Sequence, residues 1–597
     1  MNTNGPGKLS LFPSYLLLSN WLNDSILVVT GIPEPNPSLN GFPIYPASIR
    51  NIYVDGKLLN GSLNLYLNSN NASLNLENNV LLSGEDGRAT IIFPPYSPYL
   101  LTIFNLSNSL HPKLKIYGFY PIEKNNIIEL KGLINIYIYT NFSTTFSYSS
   151  NETSVIFSGR GDRFIEIGFN SFNTSIPLLI REDELLTSKW LNSSIFPNNL
   201  PKSLLKEYYL SLLVIKDDQN PVLGDFAAAP TPIYLHSWVR DSSFAAIALQ
   251  DAGHYMSALK YWHWMSSAPQ ITNGVWYTRY NFYTGKPSYN FGIEELDSLG
   301  LFEIGISNFL NLTENYSFFK EVLPRLNDTL RFQISHILNS SLHLIPQDLS
   351  VWEDREAYHF WTEAFNAIGM IEIRKTLEEF NITYPDLKEA EMDLNESIIS
   401  HFWTGKEFVS AMTSSVLFTS NGTKIVLSPD PPVTDSATIL PLVMGFLPYN
   451  SKYTKEDVQN VSSMLTIQGG LARFPGDDYH YSEYLYDSTG PDPPWIITTL
   501  FKALYYSREG NYVRSVNLLY WTYNHSQQGL LPEAIDPKLG VPLPTTSPLT
   551  WSAAMFVIVS LSLPEPQNSS YVFIIELIIG IVVIVTLFFA LRKIRKR

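Results

Sequence analysis

The sequence predicts a multidomain fold: an N-terminal all-β sandwich, then an all-α toroid barrel, then one C-terminal transmembrane helix. Three observations predict it. Between about Ile26 and Phe172, short runs rich in Ile, Tyr, Val and Thr are separated by Asn-Gly, Asn-Asn and Gly-Asp turn signals, the signature of strands joined by tight turns. From about Lys202 the apolar period lengthens to that of helices. Near the end, Tyr571 to Leu591 is a continuous apolar run with Glu576 as its only charge.

In chain order, residues 1–175 form the expected sandwich, with LINIYIYT at Leu133 to Thr140 and RFIEIGF at Arg163 to Phe169 as its clearest strands. A linker is expected at 176–201, closing on Pro197-Asn-Asn-Leu-Pro201. Residues 202–563 follow as ten to twelve helices, among them SLLKEYYLSLLVIKD, SSFAAIALQDAGHYMSALKYWHWM and WIITTLFKALYYSREG, a series that suits a toroid better than a small bundle. A proline-stiffened linker, 564–570, leads to the span at 571–591, which at ~1.5 Å per residue covers a hydrocarbon core of roughly 30 Å. The basic tail 592–597, with Arg592, Lys593, Arg595, Lys596 and Arg597, is expected to stay cytoplasmic and leave everything before Tyr571 outside the cell membrane.

Composition narrows the function. With 45% hydrophobic and 16% charged residues, the 597-residue chain can bury several cores. Its net charge is −15, from 40 Lys+Arg against 55 Asp+Glu, and no basic stripe precedes the tail, which argues against nucleic acid as a partner. The absence of cysteine removes disulfides, thiolate metal sites and thiol nucleophiles from consideration. Asn-x-Ser/Thr sequons recur from Asn23 to Asn568, including Asn105, Asn141, Asn311 and Asn460, and predict N-linked glycans on an extracytoplasmic surface. The first 23 residues offer only Lys8 and a Pro-interrupted apolar stretch, so export uses this weak segment or the true start lies upstream. Aromatic content is 14%, with 35 Tyr and 12 Trp; core packing explains most of it, and exposed rings are natural platforms for sugar faces.

The candidate chemistry rests on two glutamates. Cleaving a glycosidic bond takes one carboxylic acid to protonate the leaving oxygen and one carboxylate to activate water or attack the anomeric carbon, held in different environments. Glu353 follows Trp352 in Ser350-Val-Trp-Glu-Asp-Arg355, where the indole can shield it and favour its protonated form. Glu533 lies in a Leu-Leu-Pro-Glu loop, expected to be open to water and ionised. Either alone also fits an ordinary helix-terminal acid. Arg240 and Asp241 open a long helix behind Tyr234 and Trp238; Asp241 reads as a cap, but the adjacent guanidinium and the two rings add a grip for sugar hydroxyls. Gly469 to Tyr479 supplies Arg473, and Asp492-Pro-Pro-Trp495 sets a rigid Trp495 at a helix start.

These blocks, in this order across roughly Leu204 to Leu563, resemble family 15 glycoside hydrolases, the glucoamylases and their prokaryotic relatives with an N-terminal β-sandwich. The matching residues are Tyr234 through Asp241, Trp352-Glu353, Arg473-x-Pro-x-Asp477 ahead of Pro494-Trp495, and Pro532-Glu533 followed by Leu549-Thr-Trp-Ser552. The resemblance implies an (α/α)6 barrel that releases β-glucose from non-reducing ends of α-glucans with inversion; no cofactor is expected, and His236 and His359 beside the motifs show no His/carboxylate spacing for a catalytic metal, with a calcium on loop carboxylates left open. It implies Glu353 as general acid and Glu533 as general base, with Arg240 and Asp241 on the terminal sugar. Tyr234 would then lie near the oxocarbenium charge, and Arg473 and Trp495 would shape the pocket. Departures are Asp354, where relatives often carry a second glutamate, and the block Ile293-Glu-Glu-Leu-Asp-Ser-Leu-Gly300, which matches only loosely; both bear on substrate preference, and α-1,6-glucans or trehalose remain open. The competing expectation is a non-catalytic, glycosylated cell-surface scaffold or glycan-binding protein on the same fold.

Overall fold

The computed structural model describes residues 15–21, 24–30, 47–67, 69–124, 127–169, 175–292, 294–419, 422–477, 479, 491–543 and 546–566. The N-terminal strands are all antiparallel. Strands β1 (Tyr15–Ser19), β2 (Ser25–Thr30), β3 (Ser48–Val54) and β4 (Lys57–Asn64) lead through β9 (Lys113–Tyr117) to β14 (Glu152–Phe169). From β14 the order continues through β8 (Tyr99–Leu110), β7 (Gly87–Ile92) and β6 (Val80–Gly84) to β5 (Ser69–Leu74). Strands β10 (Tyr120–Lys124), β11 (Ile127–Lys131) and β12 (Asn135–Thr140) join β14 through β12, and β13 (Ser143–Ser149) joins it directly. The turn from β3 to β4 shows the local logic: Asp55 and Gly56 both take positive φ, 47° and 74°, as a two-residue hairpin turn demands.

The expected sandwich of separate sheets is corrected by β14. This 18-residue strand pairs β9 and β13 with its first half and β8 and β12 with its second, with a register shift between Gly159 and Gly161. One hydrogen-bonded sheet therefore curls around an apolar interior that includes Phe104, Leu114, Phe157 and Ile167. The bulge supplies the local bend.

Helix α1 (Ile176–Asn192) occupies the segment read as a linker; it buries Leu179, Asp183, Thr187 and Leu191 at a spacing of four. Trp190 at its end lies against Trp21 of the β domain at 5.2 Å and stacks on His254 of the helical domain at 3.8 Å, so the segment joins the two domains by packing.

The helical domain comprises α2 (Leu205–Asp217), α3 (Val239–Asp251), α4 (Tyr255–Ser267), α5 (Asp297–Thr313), α6 (Tyr316–Asn339), α7 (Phe360–Glu379) and α8 (Leu387–Phe402). It continues with α9 (Ile439–Pro441, running on as a π turn over Leu442–Phe446), α10 (Lys452–Leu465), α11 (Ile496–Arg508), α12 (Tyr512–Asn524) and α13 (Thr550–Ser562). Odd-numbered helices α3, α5, α7, α9, α11 and α13 touch in a closed ring, α13 returning to α3, and their even-numbered partners pack outside. Every residue of α3 from Val239 to Gln250 is buried, whereas outer α6 and α10 bury one stripe. Ring helices α5 and α7 approach so closely that a Cβ on Gly300 would lie 2.2 Å from the Phe365 carbonyl oxygen, a contact only glycine permits.

Among the described residues no helix is long and apolar enough to cross a membrane. The apolar α13 has 13 residues, about 20 Å at ~1.5 Å per residue, short of the roughly 30 Å a span requires, and it packs inside the ring. The expected span at 571–591 and its basic tail lie outside the described residues. The transmembrane helix, with the single-pass, outward-facing cell-membrane placement built on it, is withdrawn. One sequon also changes meaning: Asn460 is buried, with its amide donating to Glu407 Oε2 at 2.7 Å, so it is closed to glycosylation in the folded chain.

Candidate active site

Segments that lead into ring helices help to line a cavity of about 390 Å3. His236–Trp238 leads into α3, Tyr358–His359 into α7 and Pro494–Trp495 into α11. Tyr234, Trp238, Arg240, Asp241, Trp352, Glu353, Arg473, Trp495 and Glu533 all line this cavity, so the fold brings together every residue singled out in the sequence.

Glu353 sits on a turn at φ 58°, after Ser350 at φ 52°; both are left-handed values that side chains with a Cβ adopt at a cost and that cluster at functional sites. The turn delivers the carboxyl to Arg240, whose Nη2 donates to Glu353 Oε1 at 3.0 Å. Arg240 Nη1 donates to Glu295 Oε2 at 2.6 Å, to Asp297 Oδ2 at 3.3 Å and to the Ser350 carbonyl at 3.3 Å. Burial holds Glu353 above the usual carboxylate range, against the opposing pull of Arg240 and of hydrogen bonds from Glu295 and Trp238. Asp241 is pushed up to about 7, burial again leading and Arg240 opposing. Arg240 is 3% exposed and its two Nη atoms are engaged by protein carboxylates, Glu353 among them.

Glu533 lines the same cavity. Its backbone is fixed on both sides, N–H to the Thr546 carbonyl at 3.1 Å and C=O from the Ile496 N–H at 3.1 Å. The expectation of a carboxylate open to water is corrected: Glu533 is 5% exposed. In place of solvent it meets two phenols, Tyr234 donating to Oε1 at 3.1 Å and Tyr479 to Oε2 at 3.0 Å, with the hydroxyls 2.7 Å apart.

The remaining wall is aromatic and cationic. Arg473 makes a two-point ion pair with Asp477 at 2.6 and 2.8 Å, and its guanidinium lies over the rings of Trp495, Tyr479, Phe474 and Trp352 at 4.3 to 5.1 Å. The Trp352 indole N–H donates to Asp435 at 2.9 Å, which fixes the ring through the loop before α9. Across the cavity Arg279 lies over Trp238 and Phe291 at 4.8 and 4.6 Å. Sequence reasoning missed Tyr479, Glu295, Asp297, Arg279 and Asp435. Tyr479 and the Glu295–Asp297 pair stood inside segments already singled out; Arg279 and Asp435 carried no local signal.

No family model matches the chain. It is 24% identical over 394 residues to an uncharacterized glycosyl hydrolase of Methanocaldococcus jannaschii, a match covering 62% of this chain and 57% of that protein. The fold is that of a bacterial glucoamylase solved in complex with acarbose, with a TM-score of 0.68, 14% identity and coverage of 94% of this chain and 97% of that one. A glucoamylase of Saccharomycopsis fibuligera aligns at a TM-score of 0.46, 15% identical over 62% of this chain and 96% of its own.

Proposed function

We propose that the chain is a glucoamylase-like glycoside hydrolase that removes glucose from the non-reducing ends of α-glucans or short α-gluco-oligosaccharides with inversion of configuration. The observation that supports this reading best is the placing of two carboxyls in one cavity under unlike conditions. Desolvation favours the proton on part-buried Glu353, whereas Glu533 accepts from two phenols. In this reading Glu353 gives its proton to the departing glycosidic oxygen. Glu533 takes a proton from the water that attacks the anomeric carbon from the other face. Asp241, at the cavity wall beside Arg240, is the acceptor for hydroxyls of the terminal sugar, and Trp238, Trp352 and Trp495 provide ring faces. The volume lies at the lower end of the 300–1,000 Å3 range, roughly, of small-molecule sites, which suits one terminal residue held deep with the rest of the glucan leading out. The barrel-and-sheet architecture shared with a glucoamylase over nearly the whole chain adds to the case.

The test is glucose release from maltooligosaccharides, isomaltose and trehalose, with the product anomer followed by NMR. β-Glucose from the wild-type chain is expected, and Glu353→Gln and Glu533→Gln should each lower turnover by about 10^3-fold with unchanged circular dichroism. α-Glucose as first product would refute inversion. No release from any substrate by the folded protein would leave a glycan-binding scaffold.

A further inference from the structure

Trp238 reaches the cavity on the short strand His236–Trp238, which pairs antiparallel with Arg279–Asn281 and sets Arg279 directly opposite Trp238. Cross-strand partners share one face, so the guanidinium follows the indole to the cavity wall. The chain then turns and comes back beside itself, the Ser288 N–H donating to the Arg279 carbonyl at 3.1 Å, and the returning segment carries Asn290 and Phe291. Arg279 ends as a wedge. Its guanidinium carbon lies 4.8 Å from the centre of the Trp238 ring and 4.6 Å from that of Phe291, two rings 6.4 Å apart.

This wedge is a buried cation without an anion. Arg279 is 7% exposed; the ion pairs at the cavity use Arg240 and Arg473, and among the described residues Arg279 forms none. Its Nη2 donates to Asn290 Oδ1 at 3.1 Å. Nε is fully buried without an acceptor, while Nη1 has no protein acceptor and is not enclosed, which leaves it to meet whatever enters the cavity. Ring faces attract a cation less strongly than the water it gave up, so the arrangement calls for an acceptor that arrives with the substrate.

Position along the cavity says which part of the substrate that is. Trp551, Leu549 and Ile497 are buried and mark its deep end, whereas Phe291 and Ile233 are 42% and 52% exposed and mark its mouth. A glucan entering end-first puts its terminal glucose at the deep end and its second sugar at the mouth. Arg279, against Phe291, stands beside the second. We propose that Arg279 is a specificity residue for the leaving group: held between Trp238 and Phe291, it donates from Nη1 to a hydroxyl of the second sugar and so favours glucosides whose leaving group is itself a sugar.

The proposal rests on the chain being an exo-acting glucosidase, and its test keeps the two apart. The readout is the ratio of kcat/KM on maltose, or on isomaltose or trehalose if one of these is the better substrate, to that on 4-nitrophenyl α-glucoside, whose leaving group has a ring but no sugar hydroxyls. Arg279→Met, a straight apolar chain without a donor, should lower this ratio by about tenfold, the worth of one hydrogen bond from a charged group, chiefly by raising KM for the disaccharide. Arg279→Lys keeps the charge but loses the planar fork that stacks between two rings; its ratio should fall by about threefold while both limbs of the pH profile stay in place. An unmoved ratio in the Met variant, or in the Lys variant should the Met variant fail to fold, would overturn the proposal, because a guanidinium that only steadied Trp238 or Glu353 would slow both substrates alike. If the wild-type chain hydrolyses neither glucoside, the proposed function fails and binding decides instead. Quenching of tryptophan fluorescence should then show the disaccharide bound about tenfold more tightly than glucose by the wild-type chain and no more tightly by Arg279→Met; equal affinities in the wild-type chain would overturn the proposal.

Discussion

Tyr479 and Tyr234 each bring one phenol to one oxygen of Glu533. Removing the Tyr479 hydroxyl takes one donor from a nearly dry carboxyl, so Tyr479→Phe is expected to lower kcat by about tenfold, the worth of one hydrogen bond to a charged group, with KM changed less. Steady-state kinetics on maltose checks this, and an unchanged kcat would put Tyr479 outside the machinery. The two glutamates could be found from sequence because each stands in a short block whose neighbours are fixed by the turn it occupies. Their surroundings could not. Glu533 is dry because a loop more than fifty residues earlier lays Tyr479 over it, and Arg240 is tied up because Glu295 and Asp297 fold back from the start of the next ring helix.

The start of the last ring helix, α13, is held by a polar seam to the end of α2 and the segment that follows it. Thr550 Oγ1 lies 2.7 Å from both Asp218 Oδ2 and the Ala227 carbonyl, and the Thr550 N–H donates to the Ala228 carbonyl at 2.9 Å. Thr550→Val keeps the shape and strands those buried partners, so it should reduce stability by about 2 kcal/mol, read from the urea midpoint. An unshifted midpoint would mean the seam is held by apolar packing alone. Helices such as α3 and α11 were legible as elements from their periodicity. Helix α1 was not, because a Trp-Leu-Asn-Ser-Ser stretch followed by prolines reads as a linker until Trp190 is seen stacked on His254. The length and bulge of β14 likewise escaped, since nothing local marks a strand that serves two halves of one sheet.

Over the whole molecule, burial has raised many carboxyls at once. Burial pushes Asp183 up to about 9, Glu207, Glu303 and Asp348 to about 8, and Glu166, Asp217 and Asp457 to about 7. A carboxyl raised in the folded state holds its proton where the unfolded chain has released it. Its contribution is therefore complete below about pH 4 and is lost as pH climbs through 7 to 9. Buried His254 and His359, lowered to about 3 and 4, work the other way between pH 4 and 6.5, and Lys216, lowered to about 7, does so above 7. The carboxyls outnumber them. The apparent unfolding temperature should thus be highest near pH 4 to 5 and fall by about 5 °C or more by pH 8; scanning fluorimetry across that range checks it, and a rise toward pH 8 would contradict the burial pattern.

The Asp218–Thr550 contact joins positions 332 apart in the chain. A ribosome adding about 5–20 residues per second delivers the second partner tens of seconds after the first. During that interval five ring helices exist without the sixth, and the apolar sides of α3 and α11 that will face α13 have nothing to cover them. Glu533 also emerges in this late stretch, so the nascent chain holds Glu353 without Glu533, beside an open seam. Birth order therefore makes catalytic competence and the sealing of the barrel a single, final event.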